Sequence, residues 1–234
     1  MKRLAVVALL AGCTSDEFIY AWDDRPVVCS IPIDDITKDA PWDLVETQLD
    51  TAEHSAVVAL VHAHIPGVTI SSAAIERILD GAEQHGLSFV TYRDLAAGTP
   101  PHPGLALAFD DQEIDAWFDI RETLLARNAR VTFFLTRFDS RTPEQLDKLA
   151  ILAGDGHDIE AHSVMHLPAI PYVDEHGLPA YVADEVVPSI EILQQAGYEP
   201  TVYAFPFGAS TRELEAAVLE HVDRVRVGPG TCPN

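Results

Sequence analysis

The regular alternation of short apolar runs and amphipathic stretches is the sequence feature that most constrains the fold of this chain. Near-continuous apolar strands alternating with helices indicate a parallel sheet covered by helices. The number of strands favours one closed (β/α) barrel over an open sheet. The predicted strands are 26–33, 56–64, 88–92, 105–110, 130–136, 157–163, 201–207 and 224–228. The predicted helices are 42–53, 71–84, 113–127, 143–153, 183–196 and 211–221.

The charge of the chain excludes several classes of partner. Acidic residues outnumber basic residues 37 to 15, which gives a net charge of −22. A surface this negative repels nucleic-acid phosphates and anionic lipid head groups, so neither is an expected partner. The three cysteines are too few for a disulfide scaffold.

The N-terminus has the layout of a bacterial export signal. Two basic residues precede an apolar run, 4–10, that is too short to span a bilayer. The ending Leu-Leu-Ala-Gly-Cys resembles a lipobox, in which Cys13 is acylated; the alternative is an ordinary cleaved signal with Cys13 incidental. We predict a lipoprotein signal peptide over 1–12 and a polar tether over 13–17. The protein would lie at the cell envelope, facing the periplasm or exterior, with the lipid anchor as its only membrane contact.

Polar residues with metal-binding chemistry follow two of the predicted strands. Asp110 and Asp111 are adjacent carboxylates at a strand end, and burying both requires a cation or a shared proton. The alternative is that Asp111 caps the next helix and Asp110 is solvated. His162 and His166 follow another strand, four residues apart. One carboxylate and two imidazoles suit a divalent metal, with Zn²⁺ as the first choice.

A third strand ends in the sequence Tyr-Ala-Phe-Pro-Phe-Gly, residues 203–208. Pro206 fixes its own φ and Gly208 permits an unusual turn. Two interpretations stay open: simple punctuation between strand and loop, or a shaped loop that directs the N–H of Phe207 into a site.

Together these segments carry a family resemblance. "FDD", "HSVMH" and "FPFG", in that order, resemble the first three motifs of the polysaccharide deacetylases, carbohydrate esterase family four. "ARVTFFLT" and "GHDIEAHS" are also similar to that family. The resemblance implies a distorted (β/α) barrel of seven or eight strands and a divalent-metal amidase or esterase that acts on acetylated polysaccharide or oligosaccharide. By resemblance, Asp110 is the general base, Phe207 provides an oxyanion donor, Ser163 braces the second motif, and the metal ligands are Asp111, His162 and His166.

Two departures from the family pattern lead to a prediction about chain order. Ala204 stands where the third motif usually has an arginine that orients the base, and the usual late catalytic histidine is missing after that motif. Segments at the front resemble the missing parts: 33–44 the fourth motif and 57–67 the fifth. We therefore predict a circularly permuted, single-domain α/β barrel over 18–234, with the join of the old termini near 96–104.

The permuted order leaves two histidines as candidates for the general acid. His62 fits the family's Leu-x-His pattern, whereas His64 lies at the strand end, where barrel enzymes place their chemistry. Trp42 and Pro206 are candidates for the substrate pocket; the alternative for Trp42 is packing of its own helix. Cys29 and Cys232 would come close together, because the permutation separates segments that are otherwise consecutive.

The resemblance predicts a metal-dependent hydrolase that removes acetyl groups from N-acetylated carbohydrate at the cell envelope. O-deacetylation is an alternative that the same site could serve. A second alternative is a non-catalytic carbohydrate-binding lipoprotein on a decayed barrel, which the alanine at position 204 favours.

Overall fold

Strands and helices alternate through residues 15–97 and 101–232, which are the residues that the computed structural model describes. The predicted signal peptide with Cys13 and residues 98–100 of the predicted join lie outside them. The strands are β1 Ile19–Tyr20, β2 Val27–Cys29, β3 Ile31–Pro32, β4 Val58–Ala63, β5 Ser88–Phe89, β6 Gly104–Asp111, β7 Thr132–Leu135, β8 Asp158–Ala161, β9 Val202–Ala204 and β10 Arg224–Val227. The α-helices are α1 Trp42–Ser55, α2 Ser72–Gln84, α3 Tyr92–Ala96, α4 Ile114–Asp119, α5 Arg121–Ala126, α6 Pro143–Gly154, α7 Ala169–His176, α8 Leu178–Tyr181, α9 Val187–Gln195 and α10 Arg212–Val218.

The parallel strands follow one another around a nearly closed barrel in the order β4, β6, β7, β8, β9, β10 and β2. β3 continues from β2 after Ser30 and pairs with β4, so the extended segment 27–32 joins the last strand of the sheet to the first. β1 is an antiparallel addition to β4, and β5 pairs with the start of β6. The predicted α/β barrel in a single domain is confirmed, with seven strand positions around the ring.

Alternate residues of each strand fill the inside of the barrel and the layer beneath the helices. On β4, Val58 and Leu60 belong to the inner apolar cluster, while Ala59 and Val61 belong to the outer one. This is the two-residue period of a strand that is covered on both faces. Towards the carboxyl ends of the strands, the inward positions become polar, so any chemistry of this fold lies at that end.

Capping residues explain where several helices begin. Thr142 accepts a hydrogen bond from the N–H of Gln145 and, with Pro143 in the first turn, starts α6 as predicted. Thr91 caps α3 through the N–H of Asp94, and for this reason the predicted strand 88–92 ends early, at Phe89.

Helix continuity differs from the prediction in two regions. The predicted helix 113–127 is divided at Ile120 into α4 and α5. α7 and α8 were not predicted, because their sequence contains two prolines and Gly177, which interrupt a helical pattern. A π-helical turn, Val182–Val186, then leads into α9.

Two further features concern the termini and the membrane. Cys29 at the end of β2 and Cys232 form a disulfide, with Cα atoms 5.6 Å apart, so the predicted proximity is confirmed. Within the described ranges, no helix combines the length and the apolar character that a membrane span requires.

Candidate metal and catalytic site

A cavity of about 580 Å³ opens at the carboxyl ends of the barrel strands. It is lined by residues that lie far apart in the sequence, on β4, β6, β8, β9 and β10 or just beyond them. Both groups of predicted chemical residues meet there: Asp110, Asp111, His62, His64, His162, His166 and Phe207.

Asp111, His162 and His166 form one half of the site. Their candidate ligand atoms all lie within 4.8 Å of one another. The Nε2 atoms of His162 and His166 lie 3.8 Å and 3.2 Å from Oδ1 of Asp111. One carboxylate and two imidazoles that converge from three directions fit a divalent cation such as zinc and leave positions for water or substrate.

The local backbone brings these three side chains together. Asp110 and Asp111 are neighbours on a strand and would point to opposite faces, but Asp111 has φ of +89° and both line the cavity. Ser163 and His166 also have positive φ values, +67° and +60°. Left-handed backbone at non-glycine residues is unfavourable and tends to occur at functional sites, where the surrounding structure holds it.

Hydrogen bonds fix the orientation of the two imidazoles. His162 is 1% exposed, and its Nδ1 lies 2.9 Å from the carbonyl oxygen of Ala204. When Nδ1 carries the proton and donates it to this bond, Nε2 is unprotonated and its lone pair faces Asp111. A metal-binding histidine needs this arrangement. The N–H of His166 donates to Oγ of Ser163 over 2.9 Å. Burial lowers the pKa of His162 to about 4, so this imidazole is neutral near pH 7.

Asp110 lies in the second half of the site and is almost completely buried. Its Oδ2 accepts a hydrogen bond from Nη2 of Arg226, which is also buried. Burial alone would raise the pKa of Asp110, but the positive charge of Arg226 outweighs it and holds the pKa well below the usual range. Oδ1 has no hydrogen-bond partner among the described residues. Asp110 is therefore an ionised carboxylate with one oxygen held by Arg226 and the other buried without a hydrogen-bond partner among the described residues.

His64 faces the same cavity from the end of β4. Its Nδ1 lies 2.6 Å from Oδ2 of Asp34, and its backbone N–H donates to Oδ1 over 3.1 Å. Thr69 Oγ1 also donates to Asp34 Oδ1, over 2.6 Å. Burial acts to lower the pKa of His64, but the bond to Asp34 and the nearby carboxylates outweigh it and raise the pKa to about 9. His64 is thus a protonated imidazolium near pH 7.

His62 is in a different environment from His64. It is 7% exposed, and its Nδ1 forms a 2.8 Å hydrogen bond with Oγ of Ser30. Burial, reinforced by the charge of Arg226, lowers its pKa to about 3. His62 is neutral near pH 7 and has no proton to donate from a charged ring. His62, His64 and Asp110 could also bring three ligand atoms together, but Arg226 already neutralises that cluster.

The loop after β9 borders the cavity with Phe207 and Gly208. Phe207 has φ of +60°, its side chain is 69% exposed, and its ring centroid lies 4.7 Å from that of His166. Pro206 is buried beside it and does not line the cavity. Trp42 begins α1 under the guanidinium of Arg77, 4.3 Å from its ring centroid, and does not line the cavity either. The structure therefore brings together all the predicted catalytic residues and ligands, but neither predicted pocket residue.

Arg226 is a site residue that the sequence analysis missed. Its only sequence mark is the pattern Arg-Val-Arg-Val in a strand, which places two arginines on the inward face of a barrel in an acidic chain. The partner of Arg226 could be found only from the packing of β10 against the other strands.

The fold and the location of the site define a barrel protein with polar chemistry at the carboxyl ends of its strands. A family model described as "Polysaccharide deacetylase" matches residues 97–222, which is more than half of the chain. The chain belongs to the polysaccharide deacetylase family. No curated protein sequence matches it significantly.

Solved structures of three bacterial proteins have a similar fold. IcaB from Ammonifex degensii is 18% identical, with a TM-score of 0.56 over 74% of this chain and 84% of that one. A de-N-acetylase from Aggregatibacter actinomycetemcomitans is 16% identical, with a TM-score of 0.60 over 73% and 93%. The deacetylase PplD from Streptococcus pyogenes is 16% identical, with a TM-score of 0.51 over 76% and 97%. At these identities the matches establish a shared fold.

Proposed function

We propose that this protein is a divalent-metal-dependent hydrolase that removes acetyl groups from N-acetylated carbohydrate. One observation carries the proposal: Asp110, whose buried Oδ1 has no hydrogen-bond partner among the described residues, lines a cavity that has a metal-type triad and a protonated His64 on its walls. Hydrolysis of an amide needs a base for the attacking water and an acid for the leaving amine. The two residues have opposite protonation states in the same cavity, as this chemistry requires.

Each residue of the site has a role in this proposal. Asp110 accepts a proton from the attacking water at Oδ1, while Arg226 holds Oδ2. His64 gives its proton to the leaving nitrogen, and Asp34 orients it. The backbone N–H of Phe207 donates to the oxyanion that forms from the acetyl carbonyl. His62 acts as a buried neutral residue that supports this wall, and not as the acid.

Asp111, His162 and His166 would hold the metal ion, with Zn²⁺ as the first choice. The metal supplies Lewis-acid activation at the acetyl group when bound. The donation from His162 to the carbonyl of Ala204 keeps Nε2 free for this purpose.

The permuted order of motifs and the envelope location are also part of the proposal. The family model begins at residue 97, yet β2, β3 and β4 lie before it and complete the same barrel. His64 and Asp34 come from that preceding part and face Asp110 in one cavity. This supports a circular permutation with its join near 96–104. The lipobox-like sequence ending in Cys13 supports a lipid-anchored protein at the cell envelope.

The test is acetate release by the purified metal-loaded protein from N-acetylglucosamine oligomers, with O-acetylated oligomers tested alongside. We expect His162→Ala with His166→Ala to remove stoichiometric zinc and all turnover. Asp110→Asn should keep the metal and lose about 10²–10⁴-fold in rate, since that is the usual contribution of a general base. Wild-type protein that binds zinc but releases no acetate from any acetylated glycan would contradict the proposal.

A carbohydrate-binding protein without activity is the alternative, favoured by Ala204 in place of the usual arginine. The ion pair between Arg226 and Asp110 argues against a decayed site, because it keeps the candidate base ionised and fixed in position. Glycan binding with no acetate release would favour this alternative.

A further inference from the structure

The segment that follows β10 packs directly against the loop that carries Phe207. The N–H of Gly228 donates to the carbonyl oxygen of Gly208 over 2.8 Å. The hydroxyl of Thr231 lies 2.7 Å from the same oxygen and 3.0 Å from that of Gly228, so it can donate to either. The Phe207 loop is therefore hydrogen-bonded to residues 228–231, which we call the C-terminal brace together with Cys232.

The contact between the loop and the brace is as close as two backbones allow. A Cβ atom on Gly208 would lie 2.6 Å from both Cα and N of Gly228, which no side chain tolerates. Gly208 also has φ of +64°, and Phe207 before it has φ of +60° without being a glycine. An unfavourable backbone conformation persists only where its surroundings hold it, and here the brace supplies the contacts.

The brace is itself held by a covalent bond. Beyond Val227 the chain leaves the sheet, and residues 228–232 belong to none of the described strands. Cys232 is tied to Cys29, which ends β2, and β2 pairs with β10 with Cys29 opposite Val227. The disulfide therefore holds the brace against β2, which is the strand next to β10.

We propose that the Cys29–Cys232 disulfide and Thr231 position the Phe207 loop, so that the oxidised protein has an ordered oxyanion donor and the reduced protein does not. This inference rests on the proposed function for its effect on turnover, but not for its effect on the loop. Thr231, Cys29 and Cys232 are not among the residues that line the cavity; in this inference they are positioning residues that act through Gly208.

The redox step needs a dithiol reductant as its co-reactant. The dithiol transfers two electrons and two protons, the sulfur–sulfur bond breaks, and Cys29 and Cys232 become thiols while the dithiol closes to its own disulfide. The brace then keeps its peptide link to Val227 and the hydrogen bonds of Gly228 and Thr231, but it loses its covalent link to β2. Activity should therefore fall when the disulfide is reduced, and it should return when the disulfide is reoxidised.

The experiment compares wild type with the Cys29→Ser/Cys232→Ser variant, both as full chains loaded with zinc and kept well below their melting temperatures. We expect backbone hydrogen exchange at residues 205–209 to rise at least tenfold in the variant, with unchanged exchange on β6 and unchanged zinc content. On an N-acetylglucosamine oligomer, kcat should fall about tenfold with KM little changed, because an oxyanion donor acts mainly in the transition state. Dithiothreitol should lower the activity of wild type to the same level and leave the variant unchanged.

Two further variants separate positioning from general loss of stability. Thr231→Val should raise exchange at 205–209 and lower kcat, while Thr231→Ser, which keeps the hydroxyl, should restore both. Leu152→Ala, at a buried position of α6, should lower the melting temperature without either effect.

The outcomes distinguish this inference from the proposed function. If wild type is inactive on every glycan, the exchange data still decide whether the brace orders the loop. If exchange at 205–209 and kcat are the same in wild type and in the cysteine variant, the brace does not position the loop and the inference is wrong.

Discussion

Arg226 on β10 pairs in register with Ala204 on β9, so the two residues occupy neighbouring positions at one level of the barrel. The family pattern places the arginine for the base at the position of Ala204, and here the guanidinium comes from the next strand. The inward face of a barrel makes such an exchange possible, because side chains from adjacent strands reach the same interior space. We therefore propose that Arg226 takes the place of the arginine that the family pattern has at position 204.

This proposal predicts that an arginine at position 204 can compensate for the removal of Arg226. Arg226→Ala should lower kcat about ten- to a hundredfold, since a hydrogen bond between charged groups contributes about 1.5–3 kcal/mol. Adding Ala204→Arg to that variant should restore much of the loss, because the new side chain starts from the neighbouring position. Zinc content and melting curves serve as controls. A double variant no better than Arg226→Ala would show that Arg226 has a structural role only.

The pair of His64 and Asp34 predicts a change in the pH profile. In the proposed mechanism His64 acts in its protonated form. Its pKa is raised to about 9, so the rate should fall as the pH rises through that value. Asp34→Asn removes the carboxylate that raises this pKa, and the alkaline limb of kcat/KM should move to lower pH. Thr69→Val, which leaves the carboxylate in place, is the matched control. An unmoved alkaline limb in Asp34→Asn would exclude His64 as the acid.

The sequence predicted residues that belong to a local motif better than residues whose role depends on a partner far away in the chain. Asp111, His162 and His166 were predictable because the motif carries them as a set. The ion pair of Arg226 with Asp110 depends on strand register between positions 116 residues apart, which no local pattern encodes. Trp42 was placed in the pocket by resemblance, but its ring is covered by Arg77 from the adjacent helix.

At the scale of the elements, the seam between β8 and β9 is the weakest part of the ring. The two strands share a single register pair, Ala161 with Tyr203. Glu160 compensates with its side chain, which accepts hydrogen bonds from the N–H groups of Thr201 and Val202, both over 2.8 Å. A buried carboxylate thus replaces backbone pairing that the short strands do not provide.

Removing this carboxylate should open the seam. Glu160→Ala leaves the buried N–H of Val202 and the half-buried N–H of Thr201 without an acceptor, and an unsatisfied buried group costs about 1–3 kcal/mol. We expect the free energy of unfolding, measured with urea, to fall by about 2–6 kcal/mol. Glu160→Gln keeps one acceptor oxygen and should lose less. Equal stability of Glu160→Ala and wild type would mean that the seam does not depend on this side chain.

Strand positions were predictable because each depends on its own apolar run, whereas helix ends depend on local capping and on neighbours. The predicted strand 105–110 matches β6 to within a residue at each end. α7 and α8 accommodate Pro171, Pro179 and Gly177 because of where these residues lie. Both prolines are in the first turn of their helices, where the missing N–H is no loss, and Gly177 ends α7 with φ of +87°.

At the scale of the whole molecule, residues 18–95 are part of the barrel and not a separate unit. They contribute strands at both ends of the strand order, with β4 beside β6 and β2 beside β10. Deleting them should prevent folding, although the family model matches only residues 97–222. Far-ultraviolet circular dichroism and a melting curve would check this, with a chain that lacks only residues 1–14 as the control. A cooperatively folded 97–234 piece would contradict the prediction.

The pairing of β2 with β10 has a consequence for the order in which the protein can assemble during synthesis. Ribosomes make the chain from its N-terminus, so the segment 27–32 is complete long before its neighbour 224–227 exists, and the two cysteines that later join are 203 residues apart. Such long-range contacts make folding slow, and until they form, β9 and β2 have open edges that can pair with other chains. A nascent chain that stops short of residue 224 would carry every metal-type ligand and yet have no closed sheet to hold them.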